Sequence, residues 1–234
     1  MDNNLKDYRE KELKNYVIGN ALIIVALSGT FDVLSNLARM NEVTNNAFST
    51  LVAELISAGI LSSILYTYVF IFDSLIPGNL KDVICNLHRP LPGEVIFEEM
   101  KKKTNDKRFT KEQVSEKYAD VYEKLENLTK KEKRKASNSA WYAVYRKHEN
   151  ETKVFISNRD YLLCRDLCIS TLYIGLMYFV LCKFSIIAFN REIVTMLIIE
   201  FIATNIAMRS KQKRFAYNVI ATDIHLSKEK STTK

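Results

Sequence analysis

The chain has 234 residues and carries 34 Lys or Arg against 27 Asp or Glu, which gives a formal net charge of +7. Its hydrophobic fraction of 47% is ordinary, but the apolar residues are concentrated in four long runs, and the charged residues lie between and after them. This uneven distribution excludes a typical water-soluble globular protein and indicates a membrane protein.

The four apolar runs are long enough to cross a bilayer as helices. The hydrocarbon core is about 30 Å thick, and a helix needs roughly 20 apolar residues to span it. The runs cover residues 16–37, 48–72, 167–189 and 193–208. The fourth run is the shortest, and an interfacial or buried helix is the alternative for it. The charged segment before the first run is not typical of a cleavable signal peptide, so we expect that run to be a retained anchor.

The distribution of Lys and Arg predicts how these helices are oriented. Both the N-terminal segment and the stretch "RSKQKR", residues 209–214, are rich in Lys and Arg. The short loops after the first and third runs contain only Arg39 and Arg191, respectively. Because the cytoplasmic flanks of membrane helices carry excess positive charge, we expect both termini and the long middle segment to be cytoplasmic.

The middle segment, residues 73–160, is the largest stretch expected to be soluble. It holds 19 Lys or Arg and 15 Asp or Glu, a net charge of +4. Apolar residues recur in it at helical spacing, Thr110 and Gln113 match a capping box, and Asn138 is a candidate cap for a later helix. The sequence therefore predicts an all-α membrane protein with four transmembrane helices and a small helical cytoplasmic domain inserted between helices 2 and 3.

Motifs of enzyme chemistry are not found in the sequence. There is no phosphate-binding glycine loop, no HExxH pattern and no G-x-S-x-G nucleophile elbow. Cys85 and His88 have C-x-x-H spacing, but no second pair completes a zinc site. We therefore expect no enzymatic activity, no cofactor and no metal.

Four ionisable residues lie within the apolar runs, and this is the feature that suggests a function. They are Asp32, Glu54, Lys183 and Glu200. At about 1.5 Å per helical residue, all four fall in the half of the bilayer that is predicted to be outer. Such residues usually face a bundle interior or an aqueous cavity, often in pairs. They could form a structural ion pair, or they could line a polar ion pathway.

A pathway would require an oligomer, because four helices are too few to enclose a wide aqueous channel. Three carboxylates against one ammonium leave a negative excess in each subunit, and a ring of such subunits would favour cations if the carboxylates are ionised. Small residues at four-residue spacing in the second run allow close helix packing, either within a subunit or between subunits.

Two dense basic clusters in the middle segment are candidates for ligand binding, with aromatic residues that follow the second cluster. Cationic and aromatic side chains together suit nucleotides or single-stranded nucleic acid. Anionic lipid contact and a merely solvated face are the alternatives for the cations, and core packing is the alternative for the aromatic residues. The candidates are Lys101, Lys102, Lys103, Lys107, Arg108, Lys130, Lys131, Lys133, Arg134, Lys135, Trp141 and Tyr142.

Short motifs in the middle segment carry a family resemblance. They are "LPGEVIF" (91–97), "NDKRF" (105–109), "NSAWYAVYRK" (138–147) and "DYLLCRDL" (160–167). Their order, with the four-helix layout, resembles the small four-helix transmembrane effectors of bacterial antiphage defence, and the Hailong-type membrane effector in particular. The resemblance implies an oligomeric ion channel of the bacterial inner membrane, gated by a nucleotide oligomer that a partner nucleotidyltransferase makes. It assigns no site residue.

The sequence therefore predicts an oligomeric ion channel that acts as an effector and is gated through its cytoplasmic domain. A non-conducting membrane scaffold that recruits a cytoplasmic partner is the alternative. A proton-coupled transporter is disfavoured, because the sequence lacks a recognisable internal repeat. The expected segments are an N-terminal segment (1–15), helices 1 and 2 (16–72), the basic domain (73–160), helices 3 and 4 (161–208) and a basic tail (209–234).

Overall fold

The computed structural model describes residues 2–28, 45–102 and 106–232, and it is all-helical, with 86% helix and no strand in these residues. The described helices are α1 (Asp2–Ser28), α2 (Asn45–Leu75), α3 (Gly78–Cys85), α4 (Pro92–Lys102), α5 (Lys111–Lys117), α6 (Ala119–Glu126), α7 (Lys130–His148), α8 (Thr152–Lys183) and α9 (Arg191–Thr232). The predicted all-helical class is confirmed.

Three of the described helices are long and apolar enough to cross a membrane. The candidate segments are Ala58–Leu75, Thr152–Lys183 and Arg191–Ser227, on α2, α8 and α9. They match the second, third and fourth predicted runs. The first predicted run overlaps α1 but continues beyond the described residues, so a fourth span stays a prediction.

The chain divides into two compact units, and neither is continuous in sequence. The first unit contains Met1–Lys81 and Arg165–Asn205, and the second contains Asp82–Cys164 and Ile206–Lys234. The sequence treats residues 209–234 as a separate tail, whereas the structure assigns them to the same unit as most of the middle segment.

The first unit exposes large apolar side chains and buries several polar ones. Ile56, Ile60 and Ile64 form an exposed stripe at four-residue spacing along α2. Asn20 and Thr171 are instead buried. A surface of this kind suits lipid or another subunit better than water.

The second unit has an apolar core with α9 at its centre. Phe97 and Met100 of α4 are fully buried, as is most of Trp141. Every residue from 215 to 221 on α9 is buried, so this part of the helix has neighbours on all sides. Charged side chains cover much of the remaining surface of the unit.

Local signals fix several helix ends, and one prediction among them is wrong. Thr110 and Gln113 form the predicted capping box at the start of α5. Asn138 does not begin a helix, because α7 starts at Lys130 with a capping box formed by Thr129 and Glu132.

Asn138 instead faces α4, where the two helices approach closely. A Cβ atom added to Gly93 would lie 2.6 Å from Asn138 Oδ1 and 3.0 Å from the Trp141 ring. The Ser137 hydroxyl donates a hydrogen bond to the Gly93 carbonyl at 2.7 Å. A glycine at this position therefore lets α4 pack against α7.

Candidate functional site

A groove on the N-terminal, mainly apolar part of α9 carries two carboxylates. It has a volume of about 660 Å³, and we call it the carboxylate groove. Its lining residues are Asn190, Arg191, Glu192, Thr195, Met196, Ile199 and Glu200. Residues 192, 195–196 and 199–200 repeat with helical spacing, so they share one face of α9 over about 12 Å.

Glu200 lies at the end of this groove that is farther from the start of α9, and it is hydrogen-bonded to α1. The Tyr16 hydroxyl donates to the Glu200 carboxylate at 3.1 Å and lies 2.8 Å from the Thr171 hydroxyl. The Thr171 hydroxyl also lies 2.9 Å from the Leu167 carbonyl, so either hydroxyl can be the donor between Tyr16 and Thr171. The three side chains form a polar chain that connects α8, α1 and α9.

Asn190 fixes the other end of the carboxylate groove. Its side-chain oxygen accepts from the backbone N–H of Glu192 at 2.7 Å, which caps the start of α9. Its amide nitrogen donates to the Leu27 carbonyl at 2.7 Å, and its backbone N–H donates to the Tyr178 hydroxyl at 2.6 Å. The groove is therefore held between residues of α1, α8 and α9.

The other predicted intramembrane residues are not brought to this groove by the described part of the chain. Lys183 is the last residue of α8, its side chain is exposed, and no described carboxylate lies within salt-bridge distance of it. Asp32 lies outside the described residues, and Glu54 lies on α2 with its side chain outside the described part. A pair between Lys183 and either acid stays a prediction.

A second candidate site lies in the second unit, between α4, α6 and α7. This lysine cleft has a volume of about 430 Å³, within the range of small-molecule sites. It is lined by Glu94, Val95, Glu98, Lys101, Lys102, Tyr122, Leu125, Glu126, Lys130, Lys133, Arg134 and Ser137. Five of the predicted ligand-binding cations lie here, which brings members of both basic clusters together.

The cations of the lysine cleft outnumber its carboxylates by five to three. Lys101 pairs with Glu126 at 3.3 Å and Lys102 pairs with Glu98 at 3.1 Å, but these exposed pairs are weak in water. Lys133 and Arg134 have no ion-pair partner among the described residues. The cleft therefore attracts anions.

Tyr122 gives the lysine cleft an aromatic wall. The Lys101 ammonium lies 5.7 Å from the centre of its ring. Burial raises the pKa of Tyr122 to about 12, so its hydroxyl stays protonated at neutral pH. This hydroxyl is buried and has no hydrogen-bond partner in the described part of the chain, so the ring is what Tyr122 contributes to the wall.

The remaining predicted ligand cations lie elsewhere. Lys131 and Lys135 are exposed on α7 outside the lysine cleft, and Lys103 is not among the described residues. Lys107 and Arg108 belong to a different, shallow and open surface depression of about 750 Å³, which we call the arginine cleft. Its other lining residues are Asp106, Arg209, Ser210, Lys213, Arg214 and Tyr217.

Trp141, a predicted stacking residue, is a core residue instead. Its ring stacks on Tyr145 at 5.8 Å and meets the edge of Phe215 at 5.4 Å, and its Nε1 donates to the Ala216 carbonyl at 3.3 Å. A nucleotide base cannot stack on the Trp141 ring, because core residues already cover it. Tyr142 is exposed but lies outside both clefts, with the Arg146 guanidinium 5.6 Å from its ring.

Sequence reasoning missed Glu192, Thr195 and Tyr122. Glu192 and Glu200 are eight residues apart, a helical spacing that could have placed both on one face. Tyr122 is one of several tyrosines in the middle segment, and no local pattern distinguishes it from the others. No protein-family profile, curated protein or solved structure matches the chain.

Proposed function

We propose that this protein is a four-span membrane protein of the bacterial inner membrane that assembles into a cation-conducting oligomer. Both termini and the second unit would be cytoplasmic, and an anionic ligand bound in the lysine cleft would control conduction. Under this proposal the protein acts as an effector in antiphage defence.

The carboxylate groove is the observation that carries the proposal. A carboxylate in the middle of an apolar helix is costly in lipid, and such residues usually face water or a partner. Glu200 lies in a groove that also contains Glu192 and Thr195, which repeat along one face of α9. Around a symmetric ring, one such face from each subunit would provide an acidic path for cations.

The lysine cleft supports control by a phosphorylated ligand. Phosphates would lie against Lys133 and Arg134, and an aromatic base would lie against Tyr122 and Leu125, all of which line the cleft. The resemblance to nucleotide-gated membrane effectors favours a nucleotide oligomer, supplied by a partner nucleotidyltransferase, over other phosphorylated compounds.

Conduction is tested with the purified full chain in planar bilayers. We expect discrete currents that Glu200→Gln strongly reduces and Glu192→Gln reduces less, because Glu200 lies deeper in the path. Glu123→Gln removes the same charge from an exposed position on α6 and should leave the current unchanged. Currents that survive Glu200→Gln unaltered would contradict the proposed path.

Ligand control is tested separately with two matched double variants of α7. Lys133→Gln with Arg134→Gln removes two cations of the lysine cleft, whereas Lys131→Gln with Lys135→Gln removes two cations outside it. We expect the first variant to bind short fluorescent oligonucleotides at least about tenfold more weakly, and the control to be little changed. Equal losses would show a non-specific basic surface instead of a site.

The membrane scaffold remains the second candidate because one observation favours it. The Tyr16 hydroxyl already donates a hydrogen bond to Glu200 within the same chain, as a structural polar contact would. Bilayers that stay silent with every oligonucleotide, despite confirmed insertion, would favour the scaffold. Glu200→Gln should then lower stability without changing any conductance.

A further inference from the structure

The arginine cleft is a second basic surface in the second unit, and it shares no residue with the lysine cleft. Five cations line it against the single carboxylate of Asp106. The Asp106 carboxylate accepts a hydrogen bond from Arg108, whose Nε lies 2.8 Å away. This hydrogen bond lowers the pKa of Asp106 below its ordinary value. The surface therefore keeps a strong positive charge.

Arg108 forms a fixed wall of the arginine cleft. Its guanidinium donates to Asp106 on one side and to Asn218 of α9 on the other. Lys213 lies 3.0 Å from Glu99 and 5.6 Å from the Tyr217 ring centre. Two of the five cations are therefore held in place by neighbours within the unit.

The other three cations have no carboxylate partner among the described residues. Lys107 and Arg214 are exposed and have no ion-pair partner among the described residues. Arg209 donates through Nη2 to the Asn86 carbonyl at 3.5 Å, but its Nε is buried and has no partner in the described part. Arg209 as a whole is only half-buried, so the rest of its guanidinium can bind an anionic oxygen.

The position of these residues along α9 identifies the source of that anion. Arg209 directly follows the apolar run 193–208 in one continuous helix. At 1.5 Å per residue, Arg209 and Lys213 lie about 1.5 and 7.5 Å beyond the end of the run. The headgroup layer is roughly 5–7 Å thick on each side of the hydrocarbon core, so Arg209 lies within it and Lys213 lies at its outer edge.

We propose that the arginine cleft binds the phosphate of an anionic phospholipid headgroup from the cytoplasmic leaflet. Arg209, Arg214 and Lys107 are the phosphate ligands, and Arg108 is a positioning residue. The assignment does not depend on conduction or on a ligand in the lysine cleft.

The test uses the purified full chain in phosphatidylcholine-containing detergent micelles, titrated with phosphatidylglycerol and followed by native mass spectrometry. Lys107→Gln with Arg214→Gln should weaken phosphatidylglycerol retention about thirtyfold, the effect of two cations near an anionic surface. Lys131→Gln with Lys135→Gln removes two exposed cations elsewhere in the second unit and should change retention less than threefold. Arg209→Gln should also lose retention while Trp141 fluorescence remains native.

Three results would overturn the assignment. Equal retention of phosphatidylcholine and phosphatidylglycerol would exclude a headgroup site that selects for charge. Equal losses in the two double variants would show only general surface attraction. Displacement of the bound lipid by excess inorganic phosphate would identify the cleft as a site for a soluble phosphate.

Discussion

The two units of the chain distribute polar and apolar residues in opposite ways. In the first unit, Ile60 and Ile198 are 57% and 55% exposed, while Asn20 and Thr171 are buried. In the second unit, Phe97 and other large apolar residues are buried and lysines cover the surface. The same chain therefore presents one exterior suited to lipid and one suited to water.

Because of this contrast, a charged residue is evidence for different things in the two units. In the second unit an exposed lysine is ordinary, and only its grouping in a cleft suggests a ligand. In the first unit a single carboxylate such as Glu200 already requires a partner or an aqueous surface. The evidence for conduction therefore rests on few residues, whereas the evidence for anion binding rests on clusters.

The largest expected effect is a loss of stability on truncating Phe215, and it tests whether α9 belongs to the core of the second unit. Phe215→Ala should lower the free energy of unfolding by about 3–5 kcal/mol, because it removes a buried ring that contacts Trp141. Fluorescence of Trp141, the single tryptophan of the sequence, follows this unit during unfolding. Tyr142→Ala, at an exposed position, is the control. Similar stabilities of the two variants would show that residues 209–234 are a tail after all.

The next effect tests whether the exterior of the first unit faces lipid. Ile60 lies halfway along the predicted run 48–72, so Ile60→Lys should make the free energy of membrane insertion about 3 kcal/mol less favourable. Ile156→Lys, at an exposed position of the second unit, should leave insertion unchanged. The measurement is the membrane-integrated fraction after expression. Normal insertion of Ile60→Lys would mean that this stripe does not contact lipid.

A smaller loss is expected at Asp223, which anchors the C-terminal part of α9. Its carboxylate accepts from Tyr118 and His148 at 2.7 Å each, and the Lys117 ammonium lies 3.1 Å away. Asp223→Ala should lower stability by about 2 kcal/mol, because buried donors lose their acceptor. Asp120→Ala, at an exposed position on α6, should change it by less than about 0.5 kcal/mol. Chemical denaturation followed by Trp141 fluorescence compares the two.

The smallest effect depends on pH and concerns the same contact. Burial, together with the neighbouring Asp223 carboxylate, raises the pKa of Tyr118 above its ordinary value of 10.0. A raised pKa favours the neutral phenol in the folded state, so its contribution is complete below pH 10 and is lost as the pH rises further.

Tyr118→Phe should therefore be less stable than the native chain by about 1 kcal/mol at neutral pH, with the difference shrinking above pH 10. Calorimetric melting temperatures of both proteins between pH 7 and pH 11 measure this change. A difference that stays constant across the range would mean that Tyr118 titrates as it does in water.

The sequence predicted the helical class, three helices that are long and apolar enough to cross a membrane, and the basic residues of the lysine cleft. These features depend on composition and on local spacing, which are visible in the chain itself. The burial of residues 215–221 could not be predicted, because the basic stretch 209–214 precedes them and their partners lie on α4 and α7. Trp141 was a candidate for stacking with core packing as the alternative, and the structure shows core packing, because Phe215 of α9 covers part of its ring.

The site was predicted in part. Lys101 and Lys133 were candidates as members of separate clusters, but only the packing of α4, α6 and α7 shows that they share a cleft with Tyr122. Glu200 was selected for its depth, and its contact with Tyr16 depends on how α1 packs against α9. The contacts of both sites depend on how separate helices pack, and the spacing within one helix does not show this.

The reversal potential of the native protein in planar bilayers, under a potassium chloride gradient, tests the central claim most directly. The carboxylate groove predicts a reversal potential close to the potassium equilibrium potential, shifted toward zero by Glu200→Gln. A reversal potential near the chloride equilibrium potential, or one that Glu200→Gln leaves unchanged, would contradict a cation path along α9.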